Sequence, residues 1–242
     1  MKTIIFFIVL LFAVIALYNI GLNSQLQNEI TTLKASLKSS PDPEKSIPIV
    51  AVSSEGQGRL GTLNLRLIPG NGKALVNTKP FTEPDLQYSV QKAVDFAVGK
   101  EQINTDFIFS YEAGAELVAG ESAGAATTIL AIAALENKTI KEDAIITGTI
   151  ENDGSIGPVD GIAEKAKAAS EAGYKYLLVP EGEGTITQHE KRIVEKDTGR
   201  GYTIRRVIYE PVTLDIKKYA KDNWNLEIIE VKNIEEAAKY FF

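Results

Sequence analysis

The distribution of apolar residues along the chain separates an N-terminal apolar segment from everything that follows. A nearly unbroken apolar run extends from Ile4 to Leu17 after the single charged residue Lys2. This composition predicts a membrane-inserted segment over residues 1–21. The run is shorter than a full span of about 20 residues, so a cleaved signal peptide is the alternative to a retained anchor. The anchor is favoured because no small-residue cleavage site follows, and Tyr18 lies where an interfacial aromatic is expected.

The charges that flank this run predict its orientation. The amino terminus and Lys2 precede the run, and the next basic residue is Lys34. Positive charge favours the cytoplasmic side, which predicts a single-pass membrane protein whose remaining residues lie outside the cytoplasm. The sequon Asn137-Lys138-Thr139 is compatible with such an exported domain.

Residues 22–46 are polar and favour a helical stalk and linker. Apolar residues recur in this stretch at coiled-coil spacing, namely at Leu26, Ile30, Leu33 and Leu37. The segment is either a short oligomerising stalk or a solvated helical spacer, because fewer than three heptads are present. Prolines at positions 41 and 43 end the helix and place the start of a folded domain near Ser46.

Residues 47–242 combine strand and helix patterns and predict one compact α+β domain. Alternating or apolar runs predict strands, and 3.6-residue periodicity predicts helices. The predicted strands are 59–68, 73–77, 105–111, 144–150 and 175–179, followed by one strand near the C-terminus. The predicted helices are 83–99, 122–136, 161–173 and 235–241.

Composition excludes several kinds of chemistry. The net charge is -6 and no basic cluster dominates the chain, which argues against a nucleic-acid partner. Cysteine is absent, so thiol nucleophiles and thiolate metal sites are excluded, and we expect no metal or cofactor. His189 is the only histidine, so a histidine-based hydrolase would have to use it.

Ser122 lies in the segment Gly120-Glu121-Ser122-Ala123-Gly124, directly before the apolar helix predicted at 122–136. Backbone N–H groups at a helix N-terminus stabilise an oxyanion, and small neighbours let a substrate backbone approach, so Ser122 is a candidate nucleophile. The alternative is that Ser122 only caps the helix.

Lys165 is a candidate general base because of its position on the helix predicted at 161–173. At about 100° per residue it shares a stripe with Ile162, Ala166, Ala169 and Ala172, whereas Lys167 points away. Burial among alanines lowers the pKa of an amine and lets it accept a proton. The alternative is an ammonium group that extends from the apolar face to solvent.

The motifs around both residues resemble the catalytic stretch of the Lon peptidase family. They are Gly-x-Ser-Ala-Gly at 120–124, Thr-Gly-Thr-Ile at 147–150 and Gly-Ser-Ile-Gly-Pro-Val-Asp-Gly-Ile-Ala-Glu-Lys at 154–165. The resemblance is clearest over residues 105–180, with a weaker match at residues 225–242. It implies a Lon-type proteolytic domain with a ribosomal protein S5 domain 2-like fold.

The resemblance also implies roles for individual residues. Ser122 would be the nucleophile and Lys165 its base, with Gly120, Glu121 and Ala123 supporting the oxyanion. Thr147 would hydrogen-bond and orient the lysine amine, unless it merely fills a strand. The family also implies protein or peptide substrates and a homo-oligomer, often a hexamer.

The chain departs from the family pattern at several places. Glu121 stands where many members have proline, and its carboxylate could pair with the lysine or repel acidic substrates. Thr149 replaces an acidic residue. The stretch 182–223 is longer than the pattern and contains His189 and a basic cluster of Arg200, Arg205 and Arg206, which suggests a surface loop or a partner-binding insertion.

No Gly-x4-Gly-Lys-Ser/Thr phosphate-binding motif occurs in the 242 residues, so we expect peptide hydrolysis that does not use ATP. A non-catalytic membrane-anchored scaffold with a peptidase fold is the alternative from another functional class. Activity that depends on Ser122 and Lys165 would separate the two.

Overall fold

The computed structural model describes residues 17–31, 44–113, 117–197 and 203–242. The backbone divides into two units, residues 1–43 and residues 44–242. In the first unit, residues 17–31 form helix α1, on which Leu26 and Ile30 are exposed. Most of the predicted membrane segment, and also Leu33 and Leu37, lie outside the described residues. Within the described ranges no helix combines the length and the apolar character that a bilayer span requires.

The second unit begins with a four-stranded sheet in the order β1-β2-β5-β3. The strands are β1 (Lys45–Val52), β2 (Gly58–Pro69), β3 (Ala74–Val76) and β5 (Thr105–Glu112). All neighbouring pairs are antiparallel except β3 and β5. Alternation determines the inner face, because Leu63 and Leu65 are fully buried whereas Arg66 is exposed. The strands predicted at 59–68, 73–77 and 105–111 are confirmed.

Two helices cover the inner face of this sheet. Helix α2 (Pro84–Val98) starts with proline at its first position and ends at Gly99, whose φ of 64° continues no helix. Helix α3 (Gly124–Leu135) is rich in alanine, and ten of its twelve residues are buried. Small side chains let α3 approach its neighbours closely on most sides. A short parallel pair, β4 (Phe81–Thr82) and β6 (Leu117–Val118), lies in the segments that precede α2 and α3.

A three-stranded parallel sheet forms the other part of the domain. Its order is β13-β10-β7, with β7 (Ala144–Ile146), β10 (Tyr176–Pro180) and β13 (Glu227–Val231). Helices α4 (Ile162–Glu171) and α5 (Ile216–Trp224) lie in the connections between these strands, as parallel pairing requires. The predicted helix at 161–173 and strand at 175–179 are therefore confirmed. The domain is mixed α and β, as predicted.

The strand predicted over residues 144–150 is interrupted. It consists of β7 and of β8 (Thr149–Ile150), which pairs with β9 (Ile156–Gly157) in a separate two-stranded sheet. At the interruption, Gly148 N–H donates to the backbone oxygen of Ser122 at 2.9 Å. Ala125 N–H in turn donates to the oxygen of Gly148 at 3.0 Å. At Gly148 the backbone therefore bonds to the start of α3 and not to a neighbouring strand, which interrupts the strand.

The long stretch 182–223 forms a β-hairpin followed by α5. Strands β11 (Thr185–Asp197) and β12 (Thr203–Asp215) pair antiparallel along their whole length. Near its base Ile186 and Leu214 pack on the domain core, whereas Ile193, Ile204 and Tyr209 are exposed. The ion pair Arg205 to Glu195 joins the two strands at 2.6 Å, and Arg200 lies outside the described residues.

The C-terminal helix is shorter than predicted. Helix α6 covers Ile234–Ala238 rather than 235–241, because the following residues form tight turns in which Phe241 N–H donates to Ala238. The turn buries Phe241 completely in the core beside α3. Asn233 begins α6 by accepting a hydrogen bond from Glu236 N–H, the usual N-cap arrangement.

Candidate active site

Ser122 lies in a single turn of 3-10 helix, Glu121–Ala123, that leads directly into α3. The residue before this turn, Gly120, has a φ of 89°, a conformation that glycine adopts at little cost. Gly120 N–H donates to Asp85 Oδ2 at 3.0 Å, which ties the turn to the start of α2. Gly124 is packed so closely that an added Cβ would lie 2.9 Å from the backbone nitrogen of Ile150.

This geometry argues against a simple capping role for Ser122. Ala123 is the N-cap of α3 and Gly120 the N-cap of the preceding turn, and neither cap involves a side-chain hydrogen bond. Among the described residues, no hydrogen bond employs the Ser122 hydroxyl for capping. The side chain is half-buried and borders a groove.

Lys165 is buried on the inner side of α4, with only 3% of its surface exposed. Ile162, Ala166 and Ala169 are buried with it, and Lys167 is exposed, as the helical stripe predicts. The prediction was wrong for Ala172, which is the C-cap of α4 and is exposed where the chain turns away. The alternative in which the ammonium extends to solvent is also wrong, because the amine is enclosed.

The amine of Lys165 donates a hydrogen bond to Thr147 Oγ1 at 3.0 Å. The Thr147 hydroxyl itself donates to the backbone oxygen of Ser122 at 3.3 Å. Thr147 is fully buried and sits in the break between β7 and β8, not within a strand. Its hydroxyl therefore links the lysine amine to the segment that carries Ser122. Within the described structure, the Lys165 amine and the Ser122 hydroxyl are not hydrogen-bonded directly.

Burial perturbs the protonation of Lys165. Desolvation lowers the pKa of its amine from the ordinary 10.5 to about 8, against the opposing effect of the carboxylates of Asp160, Glu183 and Glu164. A lowered pKa allows a substantial neutral fraction near neutral pH, which a proton acceptor requires. The site therefore contains a desolvated amine whose protonation its surroundings control.

A groove of about 610 Å³ brings Ser122 and Lys165 to one surface. Its walls come from the end of β1, the Ser122 segment and the start of α4. The lining residues include Val52, Gly120, Glu121, Ser122, Asp160, Glu164 and Lys165. Apart from Lys165, the charged residues of this lining are acidic. Among the described residues no ion pair joins Glu121 to Lys165, so the first role suggested for Glu121 is not observed.

Other residues singled out in the sequence lie elsewhere. His189 is exposed on β11 opposite Pro211 and does not line the groove. Two groups near Lys165, Asp160 and Glu183, received no role from sequence reasoning. The sequence did contain a sign that Glu183 lies near Thr147, because Glu183 follows strand β10 as Thr147 follows strand β7. The carboxyl ends of neighbouring parallel strands meet at one edge of a sheet.

Comparison with known proteins places this site in a family. Residues 85–196 match the Lon protease (S16) C-terminal proteolytic domain. The chain carries a Lon-type proteolytic domain. The matched region contains Ser122, Thr147 and Lys165, and it excludes strands β1 and β2.

Individual Lon proteases are similar to parts of this chain. The archaeal Lon protease of Thermococcus kodakarensis is 34% identical over 83 residues, which are 34% of this chain and 12% of that protein. The Lon protease of Phenylobacterium zucineum is 40% identical over 76 residues, 31% of this chain and 10% of that protein. The Lon protease of Buchnera aphidicola is 31% identical over 152 residues, which cover 59% of this chain and 19% of that protein. The chain thus spans about a fifth or less of the length of these relatives.

Proposed function

We propose that this protein is a serine endopeptidase in which Ser122 is the nucleophile and Lys165 the general base. The observation that carries the proposal is the enclosed amine of Lys165, hydrogen-bonded at 3.0 Å to Thr147 and lining the same groove as Ser122. The Lon-type character of the domain supports the same reaction class.

In the proposed mechanism, the neutral Lys165 amine takes the proton of the Ser122 hydroxyl as Ser122 Oγ attacks the scissile carbonyl carbon. Backbone N–H groups of Glu121, Ser122 and Ala123 then stabilise the oxyanion, because the first N–H groups of a helix lack intrahelical acceptors, while Gly120 supports the turn through its bond to Asp85. Lys165 returns its proton to the leaving amine, and the acyl group remains on Ser122. The same lysine then takes a proton from water as the water oxygen attacks the acyl carbon, and it returns that proton to Ser122 Oγ as the C–Oγ bond breaks and the acid product leaves.

Thr147 has a supporting role in this mechanism. Its hydroxyl accepts a hydrogen bond from the Lys165 amine and holds the side chain in one rotamer, so the nitrogen lone pair is directed consistently. Ordering a four-carbon side chain in this way lowers the entropic cost of reaching the reactive geometry.

The proposed substrates are extended peptides, unfolded segments and tails of membrane proteins. We propose that they are cleaved without ATP, because an extended strand can lie in the groove beside β1 without prior unfolding. Strand β1 is the outer strand of its sheet, and its end forms one wall of the groove. Such an edge offers unpaired backbone groups to a substrate strand.

The location and assembly belong to the same proposal. The N-terminal apolar run would hold the protein in a membrane as a single-pass anchor, with the peptidase domain outside the cytoplasm. The exposed Leu26 and Ile30 of α1 and the family resemblance favour a homo-oligomer, of which a hexamer is one form.

The test is hydrolysis of casein by the full chain in detergent. Wild type should cleave, whereas Ser122→Ala and Lys165→Ala should each lose at least about 1000-fold in rate. Lys167→Ala, on the exposed side of the same helix, and Ser54→Ala, in an exposed turn, are matched controls and should retain full activity. Circular dichroism would verify that all variants are folded.

Activity that persists in purified Ser122→Ala protein would refute the assignment of the nucleophile. No hydrolysis by wild type at any pH between about 6 and 10 would favour the non-catalytic scaffold instead, since the neutral fraction of Lys165 is large at the upper end of that range.

A further inference from the structure

The turn that follows β10 carries a carboxylate next to the proposed base. Glu183 lies in this turn and lines a cavity of about 390 Å³ together with Asp160 and Glu164. Asp160 and Glu164 also line the groove that contains Lys165. Glu183 is thus adjacent to the catalytic groove although it lies 18 residues beyond the lysine in sequence.

A second glutamate fixes the backbone on both sides of Glu183. The N–H groups of Gly182 and Gly184 both donate to Glu230 Oε1, at 2.9 and 3.0 Å. The other carboxylate oxygen of Glu230 accepts from Lys217 Nζ of α5 at 2.6 Å. We call this arrangement of Glu230, Lys217 and the two glycine N–H groups the Glu230 clamp.

The turn also packs against the side chains of the clamp. A Cβ added to Gly184 would lie 2.8 Å from the Lys217 side chain and 2.9 Å from Glu230 Oε1, so a larger residue would have to displace this ion pair. Gly182 has a φ of 89°, and Glu183 N–H donates to the oxygen of Pro180. The backbone of residues 182–184 is therefore held at three points, which fixes where the Glu183 side chain begins.

The Lys165 amine is acted on by nearby carboxylates, one of which belongs to Glu183. No ion pair within 4 Å joins Lys165 to a carboxylate in the described structure, and its hydrogen bond goes to the neutral Thr147. The carboxylates that act on the amine are those of Asp160, Glu183 and Glu164. Burial, and then the charge of Asp160, raise the pKa of Glu183, whereas Lys165 lowers it.

We propose that Glu183, held by the Glu230 clamp, is a positioning residue whose carboxylate stabilises the ammonium form of Lys165 as it takes the proton from Ser122. This inference rests on the proposed function. Glu183 exchanges no proton in the step, because the proton moves only from Ser122 Oγ to Lys165 Nζ. Its charge strengthens the base at a distance without the permanent neutralisation of a direct ion pair.

This role predicts that the pH–rate profiles of wild type and Glu183→Gln cross. Glu183→Gln removes a negative charge, so the pKa of Lys165 falls and the acidic limb of kcat/KM moves to lower pH by about 0.5 to 1 pH unit. The plateau at high pH should fall about two- to three-fold, because a less basic amine is a weaker general base. The variant should therefore be faster than wild type at low pH and slower at high pH, whereas structural damage lowers the rate at every pH.

Further variants test the clamp and provide controls. Glu183→Asp should restore the wild-type profile in part. Glu230→Gln should shift the limb in the same direction by a smaller amount, and should add little in a double variant with Glu183→Gln, since it acts through Glu183. Glu181→Gln, at an exposed neighbour paired with Lys232, should change nothing.

A titration independent of turnover separates this inference from the proposed function. In full-length protein labelled with 13C at lysine Cε, the Lys165 resonance, assigned from its loss in Lys165→Arg, reports the amine pKa directly. A lower pKa in Glu183→Gln supports the electrostatic action of Glu183 on Lys165 even if wild type fails to cleave casein, in which case the proposed function falls and that action on the amine stands. An unchanged or raised pKa, or a parallel loss of rate at all pH values, overturns it.

Discussion

Replacing Lys165 by methionine should abolish activity and yet stabilise the fold near neutral pH. Methionine has a similar shape and no charge, and the Lys165 side chain is 3% exposed among Ile162, Ala166 and Ala169. The folded state of wild type must keep an ammonium group in this apolar surrounding whenever the pH is below its pKa. The unfolded chain solvates the same group freely.

The magnitude follows from the pKa of the amine, which burial lowers from 10.5 to about 8. At about 1.4 kcal/mol per pH unit, the charged form costs the folded state about 3 kcal/mol. Because the pKa of Lys165 is lower in the folded state, the unfolded state binds more protons between pH 8 and 10.5. The free energy of unfolding of wild type therefore rises with pH across that window. The advantage of Lys165→Met should therefore shrink by about 2 kcal/mol between pH 6.5 and 9.5.

The assay is urea unfolding of the full chain in detergent at both pH values, for wild type, Lys165→Met and the exposed control Lys167→Met. Differences in packing and the lost hydrogen bond to Thr147 contribute about equally at both pH values. The change with pH in the stability difference between Lys165→Met and wild type therefore reports only the ionisation of Lys165. A thermal midpoint should shift correspondingly by about 4 to 8 °C for 2 kcal/mol. If Lys165→Met were destabilised equally at pH 6.5 and 9.5, the amine would not be desolvated and Lys165 would lack the lowered pKa that a general base needs.

Three further predictions concern the groove. The kcat/KM of wild type on casein should rise with pH along a limb centred near 8, because only the neutral amine of Lys165 accepts a proton; a limb near 6 would point to a carboxylate base instead. Thr147→Val removes the acceptor at 3.0 Å and should lower kcat about 10- to 100-fold with little change in KM; rescue by Thr147→Ser would identify the hydroxyl as the cause. Asp85→Asn weakens the bond that holds Gly120 N–H and should lower kcat about 3- to 10-fold, whereas Asp95→Asn, on the same helix, should be neutral in the same assay.

Most of the regular elements of the domain could be predicted from the sequence because their patterns are local. The alternation of Leu63, Leu65 and the residues between them determines which face of β2 is buried. The helical stripe of Ile162, Lys165, Ala166 and Ala169 likewise determines which lysine is buried and which is exposed. The predicted boundaries were wrong where groups distant in sequence bond to the backbone. At Gly148, hydrogen bonds with Ser122 and Ala125 interrupt the strand that was predicted over residues 144–150.

The long hairpin β11–β12 could not be predicted as a hairpin for a related reason. Its strands expose residues on both faces beyond the base, so neither strand has the regular apolar alternation that marks a half-buried sheet. The pairing is between residues up to 30 positions apart, such as Thr185 and Asp215, and no local signal specifies that register.

Local sequence patterns identify Ser122 and Lys165 as the candidate reactive residues, and they predict the burial of the lysine and the small residues around the serine, since all of these depend on neighbours a few positions away. The groups that surround the amine depend instead on the packed fold: Thr147 comes from the end of β7, Asp160 from the segment before α4, and Glu183 from the turn after β10. An amine's pKa depends on desolvation and on charges within several Å in space. Those distances are set by how the parallel strands align their carboxyl ends, and spacing along the chain does not specify them.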